Sequence, residues 1–160
     1  MIEEETTMLN LKNKIQKFMP WGLSIAISFI FVQSLFFKFT DAPETQHIFT
    51  TLDRWASSSF GLEGLFLPPG IFNQYVIGTA ELVAAVFLLS GLLTKIKILN
   101  PLGALLSLGI MSGAIVFHLF TPLGVDVQGD GGALFYMAVF IWLASLTLVL
   151  QGRTYLGCPK

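Results

Sequence analysis

Residues 75–93 read YVIGTAELVAAVFLLSGLL, nineteen residues in which Glu81 is the one charge. At about 1.5 Å per residue, a helix of that length crosses the roughly 30 Å hydrocarbon core of a bilayer. The same texture returns at 21–37 (WGLSIAISFIFVQSLFF), at 102–120 and at 133–150, each time without an acid or a lysine. In lipid the backbone must satisfy its own hydrogen bonds. Helices do so, whereas four strands cannot close into a barrel. The reading is an all-α integral membrane four-helix bundle.

Composition agrees with it. Charged residues make up 12% of the chain, against about 25% in soluble domains, so one soluble core could not hide the 54% that is hydrophobic. A single Cys excludes a disulfide scaffold. A net charge of −1 without a basic patch excludes a nucleic-acid binder. The expected organisation is a polar N-terminal tail over 1–19, a membrane domain over 20–150 and a C-terminal tail over 151–160. Phe36, Phe37 and Lys38 close the first span where a signal peptide would show small residues, so that span is read as a retained helix.

Lys and Arg fix the expected orientation. Lys12, Lys14, Lys17, Lys95, Lys97, Arg153 and Lys160, seven of nine, fall on one side, and Lys38 and Arg54 on the other. The second side also holds Asp41, Glu44, Asp53, Glu63, Asp126 and Asp130. Four spans put both termini together, on the expected cytoplasmic face. The first outer loop, 38–74, is long for a connector. Ile48, Phe49, Leu52, Trp55 and Ala56 make one helical face there. A helix is expected at about 42–56, opened by a capping box from Asp41 to Glu44 with Pro43 in the first turn, and ended by Ser57–Ser59. It either anchors at the interface or covers the mouth of the bundle.

Ionisable groups in membrane helices are costly and therefore mark candidate sites. Glu81 shares a stripe with Gln74, Gly78 and Ala85, small and polar, which should face the bundle. Gln33 and Lys38 lie toward the outer end of the first span, and His118 toward that of the third. Asp130 precedes the fourth, where a helix N-terminus favours an anion. Span directions thus bring Gln33, Lys38, Gln74, Glu81, His118 and Asp130 toward one outward-opening polar pocket with Glu81 at its floor. A carboxylate and an imidazole in low dielectric could pass protons or hold a polar head group such as a quinone ring. Lys38 either snorkels to the interface or pairs with Glu81 or Asp41. The structural alternative is that Glu81 only fixes packing. Glu81, His118 and Asp130 match no metal-ligand spacing, and His47 with His118 is a poor haem pair, so no metal site is assigned.

No P-loop, dinucleotide fingerprint or nucleophile elbow is present. Without a C-x-x-C, and with Cys158 in a terminal GCPK that is not a prenylation box, no thiol relay or lipid anchor is read. Whether the chain is an enzyme stays open. Gly109 and Gly113 form a GxxxG, suited to close packing within the bundle or to a homodimer, and Gly78 offers a further close approach.

GTAELVAAVFLLSGLLTK (78–95), NPLGALLSLGIMSGAIVFHLF (100–120) and DGGALFYMAVF (130–140) together resemble the DoxX family of small four-helix membrane proteins from bacteria and archaea. The likeness covers roughly 20–150. It includes the glutamate of the second helix, the M-x-x-A-x-x-x-H run of the third, and the D-G-G before the fourth. FFKF at 36–39 fits as well. The resemblance implies a subunit or anchor of a membrane-associated oxidoreductase system, since the family takes its name from a subunit of an archaeal thiosulfate:quinone oxidoreductase. It implies oxidoreductase subunits as partners beside the lipid bilayer, and carries over only Glu81, His118 and Asp130-Gly131-Gly132 as shared positions. A scaffold for other membrane proteins and a binding or transport protein for a small solute or lipid remain alternatives.

Overall fold

The computed structural model describes residues 2–152, apart from the side chains of 2–6, 12, 13, 15 and 17. Among the described residues the chain forms five helices: α1 Ile2–Phe39, α2 Pro43–Phe60, α3 Gln74–Leu93, α4 Leu99–Phe120 and α5 Ala133–Gly152. Four of them contain segments long and apolar enough to cross a membrane, Phe18–Phe39, Gln74–Leu93, Leu99–Phe120 and Ala133–Gly152. The four-helix membrane bundle is therefore as the sequence reads. Cys158, Arg153 and Lys160 lie outside the described residues.

The first helix extends beyond its apolar segment: α1 runs from Ile2 straight through Pro20. Glu, Leu, Lys and Met, all good helix formers, fill that stretch. Pro20 removes one backbone donor, at the edge of the apolar segment where water can serve the freed carbonyl.

α1 packs on α3, α3 on α4, and α4 on α5, while α1 and α5 close the ring. The central core joins Ile27 and Phe31 of α1, Ala84, Ala85 and Leu88 of α3, Ala104 and Met111 of α4, and Ala138, Ile141, Ala144 and Leu148 of α5. Small residues set the helix spacing. A Cβ at Gly103 would stand 2.7 Å from the Leu88 nitrogen and 2.8 Å from the Ala84 carbonyl oxygen. Asn100 then ties three helices, its Nδ2 donating to Ser24 Oγ at 2.8 Å and to the Leu88 carbonyl at 2.9 Å. Outward-facing Phe29, Val86, Leu105, Leu143 and Phe120 are exposed, as lipid-facing residues of a bundle should be.

α2 covers one end of the bundle. Phe49, Leu52 and Ala56 join Phe66, Leu123 and Val127 in a second core, with Trp55, Phe117 and Leu134 packed on it. Asp53 fastens the helix to the following loop, accepting from the amides of Phe66 at 3.0 Å and Gly64 at 3.3 Å. The helix thus lies over the mouth and is packed there. Its limits differ from expectation. Ala42, not Asp41, is the N-cap, and it makes no side-chain cap bond. The capping box fails because the Asp41 carboxylate is taken by α3, as described below. Ser57–Ser59 stay helical, and Ser58 Oγ donates back to the Trp55 carbonyl. The true stop is Gly61, left-handed at φ 69, with its N–H on Ser57 and that of Leu62 on Ala56.

Candidate functional site

The seam between α1 and α3 holds the membrane-embedded charges. Gln74, Gly78, Glu81, Ala84, Ala85, Leu88 and Gly91 are the buried residues of α3. Ser34 and Lys38, one turn apart, are presented by α1. Lys38 Nζ donates to Glu81 Oε2 at 2.9 Å and to Oε1 at 3.1 Å. Ser34 Oγ donates to Oε2 at 2.6 Å, and Lys38 also reaches Ser34 Oγ at 3.2 Å. The Glu81 side chain is 4% exposed and that of Lys38 16%. Gly78 allows the lysine to reach so far. A Cβ there would meet the Phe39 ring at 3.1 Å and Lys38 Cδ at 3.4 Å, so the bare backbone lets the lysine stem cross α3.

A second polar layer sits just outside. Gln74 Nε2 donates to the Lys38 carbonyl at 3.1 Å and to the Asp41 carboxylate. Tyr75 hydroxyl donates to Asp41 at 2.8 and 3.0 Å. Asp41 takes a left-handed backbone at φ 54, which turns the chain out of α1 and aims the carboxylate at α3. Asn73 caps α3, its Oδ1 accepting from Tyr75 and Val76 amides at 2.8 and 3.0 Å. The C-terminus of α1 and the N-terminus of α3 are thereby locked together above the ion pair.

Three of the six sequence candidates, Lys38, Gln74 and Glu81, thus join one network. His118 and Asp130 are engaged elsewhere. His118 Nδ1–H donates to the Gly124 carbonyl at 2.6 Å, and its ring stacks edge-on to Phe135; it ties the end of α4 to the loop before α5. Asp130 organises that loop. Its carboxylate accepts from the amides of Gly132 at 2.8 Å and of Val127 and Leu134 at 2.9 Å. Burial raises its pKa, but those backbone N–H groups lower it further, and the net displacement is below the usual carboxylate value. The anion expected at this helix N-terminus is Asp130 itself. Gln33 lies on the exposed face of α1. The single pocket drawn from span directions is therefore replaced by a closed seam and a separate loop latch. Periodicity locates a residue along a helix and on a face, but two groups at equal depth can still serve different neighbours.

Across residues 23–119 the chain matches the family model for DoxX. The chain belongs to the DoxX family. Comparison with curated proteins and with solved structures gave no match. The DoxX match includes the whole α1–α3 seam and ends one residue after His118, so Asp130 and α5 lie beyond it.

Ser34 and Tyr75 are not singled out by sequence, and Asp41 is read there only as a helix cap or a partner for Lys38. Ser34 had a signal, since it stands one turn before Lys38 on the same face. The pairing of Asp41 with Tyr75 had none, because it spans 34 residues and depends on a turn. Gly109 and Gly113 are also placed differently from the packing role considered for them. A Cβ at either would meet nothing within 4 Å, so this GxxxG makes no close approach inside the bundle, whereas Gly78, Gly91 and Gly103 do.

Proposed function

We propose that this DoxX-family chain is the membrane-embedded anchor subunit of a membrane-associated, quinone-linked oxidoreductase. It would sit in a bacterial cytoplasmic membrane with both termini inside. One observation carries the anchor role. Glu81 is held by Lys38 and Ser34 within the buried part of the helix seam, which leaves its carboxylate engaged in joining α1 to α3. Above that seam, α2 and its flanking loops form a packed cap, a stable platform on which a redox-active subunit can rest. The redox assignment is supported by family membership, and the orientation by the placement of Lys and Arg.

Affinity purification from native membranes in mild detergent tests the reading. A redox-active protein should co-purify in fixed stoichiometry, and deleting this chain should release that protein from the membrane and lower quinone reduction there. An isolated chain that itself turns over quinone, with Glu81→Gln abolishing turnover while the fold is intact, would replace the anchor with a catalytic subunit.

A further inference from the structure

At the end of the bundle opposite α2, the helices α1, α3, α4 and α5 leave a cleft of about 180 Å³. Glycines bring its parts together. A Cβ at Gly91 would overlap the Asn100 backbone, and one at Gly152 would come within 2.6 Å of Pro101. The first turn of α4 is thus drawn in between the ends of α3 and α5. Leu92 gives the cleft an apolar wall above the buried Leu148, while Lys97 and Trp21 line it as well.

Among the described residues no acidic side chain lines it, and the exposed Lys97 has no ion-pair partner. The α4 N-terminus beside it carries no side-chain cap, so the positive end of the helix adds to the lysine. The Trp21 ring is 42% exposed, at the depth where indoles favour the boundary between head groups and acyl chains. A lysine, an indole and an apolar wall line one cleft at the membrane edge, a combination that suits an amphiphile with a negative head.

We propose that this cleft binds an anionic phospholipid. Its phosphate sits on Lys97 and the Trp21 N–H, and its acyl chain lies along Leu92. Basic clefts between membrane helices recognise lipid head groups in this way. The site is distinct from the α1–α3 seam and does not depend on the anchor reading.

The test is lipid retention by the full chain, delipidated in detergent and read by native mass spectrometry after adding phosphatidylglycerol or phosphatidylcholine. Phosphatidylglycerol should be held about fivefold more strongly, the increment expected for one lysine at a charged surface. Lys97→Gln should bring the two lipids level, whereas Lys97→Arg and Lys95→Gln should keep the preference. Trp21→Phe, which retains the ring but not the N–H, should weaken phosphatidylglycerol and supplies a second reading if Lys97→Gln does not fold. Equal retention of both lipids by the parent chain would overturn the proposal, as would equal losses for Lys95→Gln and Lys97→Gln. Displacement of the lipid by inorganic phosphate at equal concentration would also overturn it, by making the site one for a soluble anion.

Discussion

At the residue scale, the α1–α3 seam is an exercise in compensating desolvation. Removing a carboxylate and an ammonium from water costs several kcal/mol per ion, and the pair survives only if geometry and further hydrogen bonds offset that. Ser34 supplies the further bond, at 2.6 Å. Removing one partner leaves the other charge buried and alone, so Lys38→Met should destabilise the bundle by about 3–5 kcal/mol. Glu81→Leu should cost a similar amount. The double variant should recover most of the loss, since two apolar side chains in lipid leave no orphaned charge. Thermal unfolding in detergent, arranged as a double-mutant cycle, reads this directly. Additive losses would mean that the pair contributes nothing jointly. Sequence alone located Glu81 and its stripe but left Lys38 between two acids and solvent. The choice falls on Glu81 because Asp41, three residues beyond Lys38, is turned away by its left-handed backbone and taken by Gln74 and Tyr75.

At the scale of elements, the connections decide what periodicity cannot. The apolar face of α2 is readable as Ile48, Phe49, Leu52, Trp55 and Ala56, and Phe49, Leu52 and Ala56 are buried as that pattern requires. Its start is not readable, because a capping signature describes local competence and a distant helix claims the same carboxylate. The loop between α4 and α5 gives the converse case. Asp126 and Asp130 sit in turn-forming sequence, and both accept backbone amides there. Since the folded loop holds Asp130 below its ordinary value, its stabilisation is complete above the usual carboxylate range and is lost as pH falls through the lowered value. Amide protection factors over 121–134, taken relative to intrinsic exchange at each pH, should therefore fall on acidification. Asp130→Ala should remove most of that dependence and cost about 1 kcal/mol at neutral pH, the scale of a lost helix cap. An unchanged acid profile in the variant would assign the transition to Asp126 or another carboxylate.

At the scale of the whole molecule, four spans and an uneven set of charges define a direction. The spans were legible because a helix in lipid needs both length and apolarity, and few soluble segments have both. The order of helices around the ring was not, because it rests on contacts such as Gly103 against Leu88, which any small residue on another helix could have made. Orientation depends on neither, only on where the lysines and arginines fall. The chain provides its own reporter, since Cys158 is its one cysteine. In cells with a permeable outer membrane and an intact inner one, a membrane-impermeant maleimide should leave Cys158 unlabelled until the inner membrane is opened. Glu44→Cys in a Cys158→Ser background should label at once, since Glu44 is exposed in the first turn of α2, at the opposite end of the bundle. The parent and the variant control one another: a reagent that had leaked would label both, and a buried thiol would label in neither condition. The reverse pattern would place the α2 cap in the cytoplasm, and any redox subunit resting on it would then have to be cytoplasmic too.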